Sequence, residues 1–247
     1  AAQGMSVFSA SGDNGAYDGI SNGSTALGVD TPANSPYLTA VGGTTLPRTY
    51  TVNNKTVKID KERAWGSEFL YPNYKNQKFF GFENWAQTFF AGGVGTYDAT
   101  RLWSFKDGKV KLLKKPVNVS GKHSGRNVPD LSANADPNTG YAVFVTPKKD
   151  ASATGEWEIS GGTSVVAPQM AAASVLMASN GAGRLGFWNP QIYRFARQSQ
   201  SPFTPLDSRT NNTNLYYTGQ PGKLYNQASG LGTVDFSKLD KLFNPTN

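Results

Sequence analysis

The stretch from Gly155 to Gly186, GEWEISGGTSVVAPQMAAASVLMASNGAGRLG, decides how the rest of the chain is read. A short strand containing Trp157 and Ile159 runs into a corner, Gly161-Gly162-Thr163. A helix of small residues follows, continues to about Ser179 and ends at Asn180-Gly181. Ser164 then stands in the first turn of a helix that enters the core. There the unpaired amides and the positive end of the helix dipole face whatever approaches its hydroxyl. Pro168 lacks the N–H that would bond to the carbonyl of residue 164, which frees that carbonyl and loosens the first turn. Ala171, Ala172, Ala173 and Ser174 carry little bulk, so the helix is expected to pack closely on a sheet with little of it facing water. A serine on a strand–Gly–helix corner has the position that a nucleophile needs. It is equally the position of an ordinary N-cap, and these three residues leave both readings open.

At 247 residues the chain suits one large domain or two small ones. It has no apolar run long enough to span a membrane, and its first residues do not read as a signal peptide. Cysteine is absent, so no disulfide contributes, as in a cytosolic protein or a bacterial secreted one. Charged residues are only 17% of the chain, and Gly, Pro, Asn, Ser and Thr are plentiful, a loop-rich α/β composition rather than a helical bundle. The net charge is +7, but the basic residues are scattered. Their densest group, Lys106 to Lys115, reads as a solvated loop, and without a recognisable reader motif nucleic acid is not an expected partner.

In chain order, Ala1-Ala2-Gln3-Gly4 reads as the end of a helix with its glycine cap, and Ser6–Ala10 as a buried strand. Ser11-Gly12-Asp13-Asn14-Gly15-Ala16 is a Gly/Asp/Asn turn. Residues 37–44 read as a short alternating strand ending in a glycine corner, and Tyr50–Ile59 as a hairpin bent at Asn53-Asn54. The stretch 66–104 is rich in aromatic residues, from Tyr71 and Tyr74 to Phe89 and Phe90. Asp130 and Asp136 read as turn holders through Asx-type bonds. Tyr141–Val145 reads as a buried strand leading toward Ser164, and Asn189-Pro190 as the start of a second helix through about Arg197.

The longer string GGTSVVAP (161–168), followed by an Ala-rich helix, resembles the nucleophile segment of the subtilisin-like serine peptidases. With its paired glycine it is most similar to that of the sedolisins, the serine-carboxyl peptidases. Residues 11–16 resemble the family's Ser-Gly-Asp-x-Gly-Ala, in which the aspartate donates to the oxyanion. Thr31-Pro32-Ala33 with Ser35-Pro36-Tyr37 and Val41-Gly42-Gly43-Thr44, then Arg126–Ala133 and Ala135–Tyr141, follow in family order. The resemblance covers about two thirds of the chain, in the blocks 1–44, 126–145, 155–199 and 203–235, with 45–125 as a divergent insertion.

The resemblance implies a subtilisin-like α/β three-layer sandwich with a mostly parallel sheet, incomplete at its N-terminus. Residues 1–247 would form the C-terminal part of a single catalytic domain. It implies a secreted, extracellular endopeptidase acting on polypeptide substrates by acyl transfer, with Ser164 as nucleophile and Asp13 as oxyanion donor. Asp13 must be neutral to donate, and carboxyls titrate near about 4, so activity is expected mainly in acid. In sedolisins the base is a glutamate oriented by an aspartate four residues later. The five glutamates here, Glu62, Glu68, Glu83, Glu156 and Glu158, are followed at that spacing by Gly66, Pro72, Gln87, Ser160 and Gly162. The dyad is therefore expected on an N-terminal segment of the same precursor, and this chain alone is expected to be inactive. The single histidine, His123, lies in a Lys/Gly/Ser loop and reads as a surface residue.

The resemblance further implies a calcium loop at 203–235. Asp207 would supply a carboxylate, and Ser208, Gly222 and Leu224 would supply carbonyls. Asn226 stands where the family has a second acid, which lowers the site's negative charge and its affinity. Two rival readings stay open at this point. One is a non-catalytic, peptide-binding subunit that keeps the fold, and the other is a surface adhesion or carbohydrate-binding module built on residues 66–104.

Overall fold

The computed structural model describes residues 1–13, 29–52, 55–59, 61–65, 72–75, 78–82, 103–106, 109–112, 126–146, 155–181, 183–207 and 221–245. In chain order its strands begin with β1 (Phe8–Ala10), β2 (Thr39–Thr45), β3 (Arg48–Val52), β4 (Lys55–Ile59) and β5 (Arg63–Ala64). They continue with β6 (Pro72–Lys75), β7 (Lys78–Phe82), β8 (Trp103–Lys106), β9 (Lys109–Leu112) and β10 (Leu131–Asn134). The last four are β11 (Tyr141–Val145), β12 (Glu156–Ser160), β13 (Phe203–Thr204) and β14 (Thr233–Val234). The helices are α1 (Thr163–Asn180), α2 (Trp188–Phe195) and α3 (Phe236–Phe243).

The centre is a parallel sheet in the order β1-β2-β10, with Phe8 opposite Thr39 and Leu131 opposite Val41. β5 adds an antiparallel segment to the end of β2, with Thr44 opposite Ala64. Every residue of β2 is buried, which corrects the expectation of a short alternating strand. A strand with a neighbour on each side and covered faces has no solvent side to alternate toward. Nor are its glycines a corner. A Cβ at Gly42 would lie 2.5 Å from Pro129 Cγ and 2.6 Å from Ser132 Oγ, so the chain entering β10 can approach only a bare backbone. β1 is shorter than expected and only half-buried, because it is the edge strand among the described residues. The turn before it closes through the Gly4 N–H donating to the Ala1 carbonyl at 2.9 Å, with Gly4 at φ +66°.

Helix α1 packs on β1, β2 and β10. Val166, Met170, Ser174 and Met177, spaced four, four and three residues apart, form its single buried stripe. The opposite face is open. Ala171 and Ala172 are exposed, and Val175 and Leu176 are 69% and 65% exposed, so the expectation of a helix with little surface in water is corrected. The helix ends where expected, but Gly181 has φ −124° and is no left-handed cap. It is bare because Asn244 packs against it, and Asn244 Nδ2 donates to the Met177 carbonyl at 2.9 Å.

α2 and α3 add further side chains to the core. Trp188, Ile192, Phe195 and Leu239 join Val41, Leu131 and the α1 stripe, and the Trp188 ring meets Phe8 edge-on at 4.8 Å. α2 begins at Trp188, one residue before the expected cap. Asn189 does other work. It accepts from Thr39 Oγ1 at 2.8 Å and donates to the Leu38 carbonyl at 2.9 Å, tying α2 to β2. α3 had no counterpart in the sequence reading. Its N-cap is Asp235, which accepts the Lys238 amide at 3.1 Å, and that bond lowers the Asp235 pKa.

Asp136 holds a turn as expected, accepting the Asn138 amide at 2.9 Å. Asp130 instead sits at a crossing of elements distant in sequence. It accepts from the Ala40 amide at 2.8 Å, Tyr193 Oη at 3.0 Å, Asn189 Nδ2 at 3.2 Å and the Arg126 guanidinium. Burial pushes its pKa up against the opposing pull of Arg126 and of those bonds. Glu62 is also pushed up by burial, against the hydrogen bond it accepts from Thr44 Oγ1 at 2.5 Å.

The hairpin at 50–59 has Val52 opposite Lys55, and its bend, Asn53-Asn54, lies outside the described residues. Within the divergent insertion 45–125, β6 pairs with β7 and β8 with β9 as antiparallel ribbons. Tyr71, Phe89, Phe90 and His123 lie outside the described residues.

Two outcomes follow for stability. Asp130→Ala strands Arg126 and the Ala40 amide, and should cost about 3–5 kcal/mol in urea unfolding; a loss below about 1 kcal/mol would remove its role as a crossing point. Because both buried carboxyls titrate above their ordinary values, the folded chain keeps protons that the unfolded chain has released. Stability should therefore fall as pH rises from about 4 through the raised values. Glu62→Gln should flatten that fall in urea midpoints measured between about pH 4 and 7, and an unchanged slope would contradict it.

Candidate active site

The site lies at the carboxyl ends of the parallel strands, where open α/β sheets place their clefts. After β1 the chain turns through Ser11 and Gly12, and Ser11 is held by its amide donating to the Val41 carbonyl at 2.9 Å. That turn delivers Asp13 to the start of α1. After β10, the carbonyl of Ala135 accepts the Gly162 amide at 2.6 Å and pins the other side of the corner.

The Asp13 carboxyl is bound by the residue next to Ser164. Asp13 Oδ1 accepts the Thr163 amide at 2.7 Å and Thr163 Oγ1 at 2.8 Å. Gly162 makes this approach possible. Its φ is +97°, in the left-handed region, and a Cβ there would lie 2.8 Å from Asp13 Oδ2. Thr163 is fully buried and locks the corner, while Ser164 is exposed on the next residue. The Val165 amide donates to the Gly162 carbonyl at 3.0 Å. Between the two bonded amides, the Ser164 N–H has no hydrogen bond within the described residues, as expected for the first turn of a helix. An exposed hydroxyl, a helix-terminal amide and a carboxyl thus occupy one corner, a set able to present a nucleophile and to bind developing negative charge. The sequence reading missed Thr163. A hydroxyl residue at the first helical position, beside a bare glycine, was the available signal.

β11 and β12 lead into this corner as a two-stranded antiparallel ribbon outside the parallel sheet, with Phe144 opposite Trp157 and Ala142 opposite Ile159. The expectation that Tyr141–Val145 is buried is corrected, since Ala142 to Val145 are exposed. The ribbon's base is fixed. Tyr141 Oη donates to the Asn134 carbonyl at 2.9 Å and lies 3.3 Å from Gln169 Oε1 on α1.

In the expected calcium loop, Asp207 Oδ2 accepts the Gly222 amide at 2.9 Å, so these two residues meet. Asn226 is buried, and its carbonyl accepts the Gly230 amide at 2.7 Å and the Ser229 amide at 3.3 Å. Leu224 packs partly buried against the core, and Ser208 lies outside the described residues. Among the described residues no three His, Cys, Asp or Glu side chains gather as a metal site. No helix among them is long and apolar enough to cross a membrane.

No family model matches the chain. Among curated proteins it is 30% identical over 233 residues to kumamolisin from Bacillus sp. strain MN-32, a match covering 94% of this chain and 35% of the relative. It is 29% identical over 244 residues to sedolisin from Pseudomonas sp. strain 101, covering 97% of this chain and 35% of the relative. It is 30% identical over 263 residues to aorsin from Aspergillus oryzae, covering 98% and 36%. The chain thus spans about a third of the length of the curated relatives it matches. Among solved structures, Pseudomonas sedolisin, a serine-carboxyl proteinase complexed with two molecules of pseudo-iodotyrostatin, superposes with a TM-score of 0.63 at 24% identity, over 97% of this chain and 56% of that one. The fold is the subtilisin-like α/β fold, and the chain belongs to the sedolisin family of serine-carboxyl peptidases.

Proposed function

We propose that this chain carries the nucleophile and the oxyanion donor of an endopeptidase that works in acid. The observation that carries the reading is the Asp13 carboxyl bonded to Thr163, one residue from an exposed Ser164 at a helix N-terminus. Ser164 Oγ attacks the scissile carbonyl carbon and gives its proton to a base. The carbonyl oxygen, now negative, accepts from the Ser164 amide and from protonated Asp13. Collapse of the adduct breaks the C–N bond, the base returns its proton to the leaving amine, and water then releases the acyl group by the same route in reverse. Oδ1 of Asp13 is engaged as an acceptor by Thr163, so the donated proton belongs on Oδ2, the oxygen facing Gly162.

The base is proposed to be a glutamate of a Glu/Asp pair on an N-terminal segment of the same precursor. Two surfaces support such a partner. The outer edge of β1 pairs with no described strand, and the outer face of α1 leaves Ala171, Ala172, Val175 and Leu176 in solvent. Parallel sheets are ordinarily covered on both faces and flanked by further strands, so a segment supplying a strand and a helix suits both surfaces. Polypeptide substrates and an extracellular setting belong to the same proposal. So does Ca²⁺ at Asp207 with the carbonyls of Ser208, Gly222 and Leu224 and the side chain of Asn226. The donors fit a hard cation in kind, being oxygens only, and a single carboxylate makes it weakly held. Bound there, the ion would brace the loop.

A peptide aldehyde should label Ser164 when the dyad-bearing segment is present and fail with Ser164→Ala. Peptide binding without any labelling would favour the non-catalytic subunit instead. Asp13→Ala should lower kcat by about a hundredfold or more, and an unchanged rate in acid would remove its assigned role. Gly162→Ala pushes against Asp13 and strains the corner, and should cost about 1–3 kcal/mol in thermal unfolding together with most of the labelling. Calcium should raise the unfolding midpoint in a concentration-dependent way, and Asp207→Ala should abolish that rise; a midpoint indifferent to calcium would sink the site.

A further inference from the structure

We infer that the β11–β12 ribbon is a specificity wall for the substrate, taking a bulky apolar side chain close to the scissile bond; the inference rests on the peptidase reading above. Strand pairing sorts the ribbon's side chains into two faces. Ala142 and Phe144 share one face with Trp157 and Ile159, and Val143 and Val145 share the other with Glu156 and Glu158. The first face is apolar throughout, yet Phe144, Trp157 and Ile159 are 51%, 71% and 74% exposed. The aromatic pair is built rather than accidental. The rings of Phe144 and Trp157 meet at 5.3 Å and 61°, and Phe144 lies so close over Gly155 that a Cβ there would be 2.5 Å from the ring.

Three features select a substrate peptide as the occupant. The ribbon runs straight into the nucleophile corner, with only Gly161 and Gly162 between β12 and α1. Ile159 is three residues from Gly162, so their Cα atoms are within about 10 Å, the span of about three residues of extended peptide. The ribbon's base is anchored through Tyr141 to β10 and α1, so the face holds a fixed position relative to Ser164. Alternate residues on β12 recur about every 6.6 Å, which matches the repeat of same-side residues in an extended chain. An apolar, rigid, solvent-facing surface beside reactive groups is what substrate side chains bind. Ile159 would therefore meet a residue within about three positions of the scissile bond, and Trp157 with Phe144 the next residue on the same side.

The test uses the matured peptidase that contains this chain and a peptide library varied at the three positions on each side of the cleaved bond. The ratio of kcat/KM for Phe or Leu over Ala at one of these positions should fall at least tenfold in Trp157→Ser and in Ile159→Ser, mainly through KM. Glu158→Gln, on the opposite face, should leave the ratio as it is. Acrylamide should quench Trp157 in the free enzyme, read as the difference from Trp157→Phe, and an uncleaved apolar peptide bound to the Ser164→Ala enzyme should protect it. Unaltered ratios in both serine variants would overturn the inference while leaving the peptidase reading intact. So would a Trp157 already shielded in the matured enzyme, since another segment would then cover the face. An enzyme that never cleaves, yet whose Trp157 is protected by apolar peptides, would keep the wall and discard the peptidase.

Discussion

Two hydrogen bonds from Thr163 to one oxygen of Asp13 hold the end of an edge strand against the start of the central helix. They constrain everything near them. The carboxyl reaches the amide only because residue 162 has no side chain and takes a positive φ, which also turns the chain out of β12 and into α1. A carboxyl oxygen that accepts from a backbone amide and a hydroxyl of the same residue is held directionally. The first turn of α1 is therefore fixed in orientation, and Ser164 with it. Stability and the presentation of the hydroxyl are one feature here.

The scaffold behind the corner keeps it from drifting. β2 is buried throughout and lies between β1 and β10, which carry the two sides of the corner on their carboxyl ends. Asp130 ties the entry of β10 to β2 and α2 at once, so the strand that anchors Gly162 through Ala135 is itself braced. A buried carboxyl with several donors fixes its surroundings because losing any donor leaves an expensive unpaired group. By contrast, the outer faces of α1 and of the ribbon are apolar and open. The interior is thus finished around the corner that carries Ser164, while the outer faces of α1 and the ribbon stay in solvent.

Much of this was legible in order along the chain. The corner Gly161-Gly162-Thr163, the helix after it, the strand before Asp13 and the hairpin at 50–59 all follow from local signals: glycine conformational freedom, small-residue periodicity and alternation. Where local reading failed, a distant partner was responsible. Gly42 looked like a corner because its reason, the close approach of Pro129 and Ser132, is nearly ninety residues away. Asp130 looked like a turn residue because Ala40, Tyr193 and Asn189 are not its neighbours in sequence. Tyr141–Val145 looked buried because an apolar strand carries no mark of whether a second layer covers it. Asp235 with the amphipathic residues after it did carry the signs of α3, which the sequence reading passed over.

The sequence by itself determined the family, the helix with its nucleophile-type corner and the residue types able to do the chemistry, because these depend on contiguous residues and their backbone preferences. Tertiary structure alone decided that Asp13 meets Thr163, that Gly162 is bare to admit it, and which apolar faces are left in water. Those facts depend on distances between segments some 150 residues apart, which are set by strand order and packing and leave no local trace in the chain.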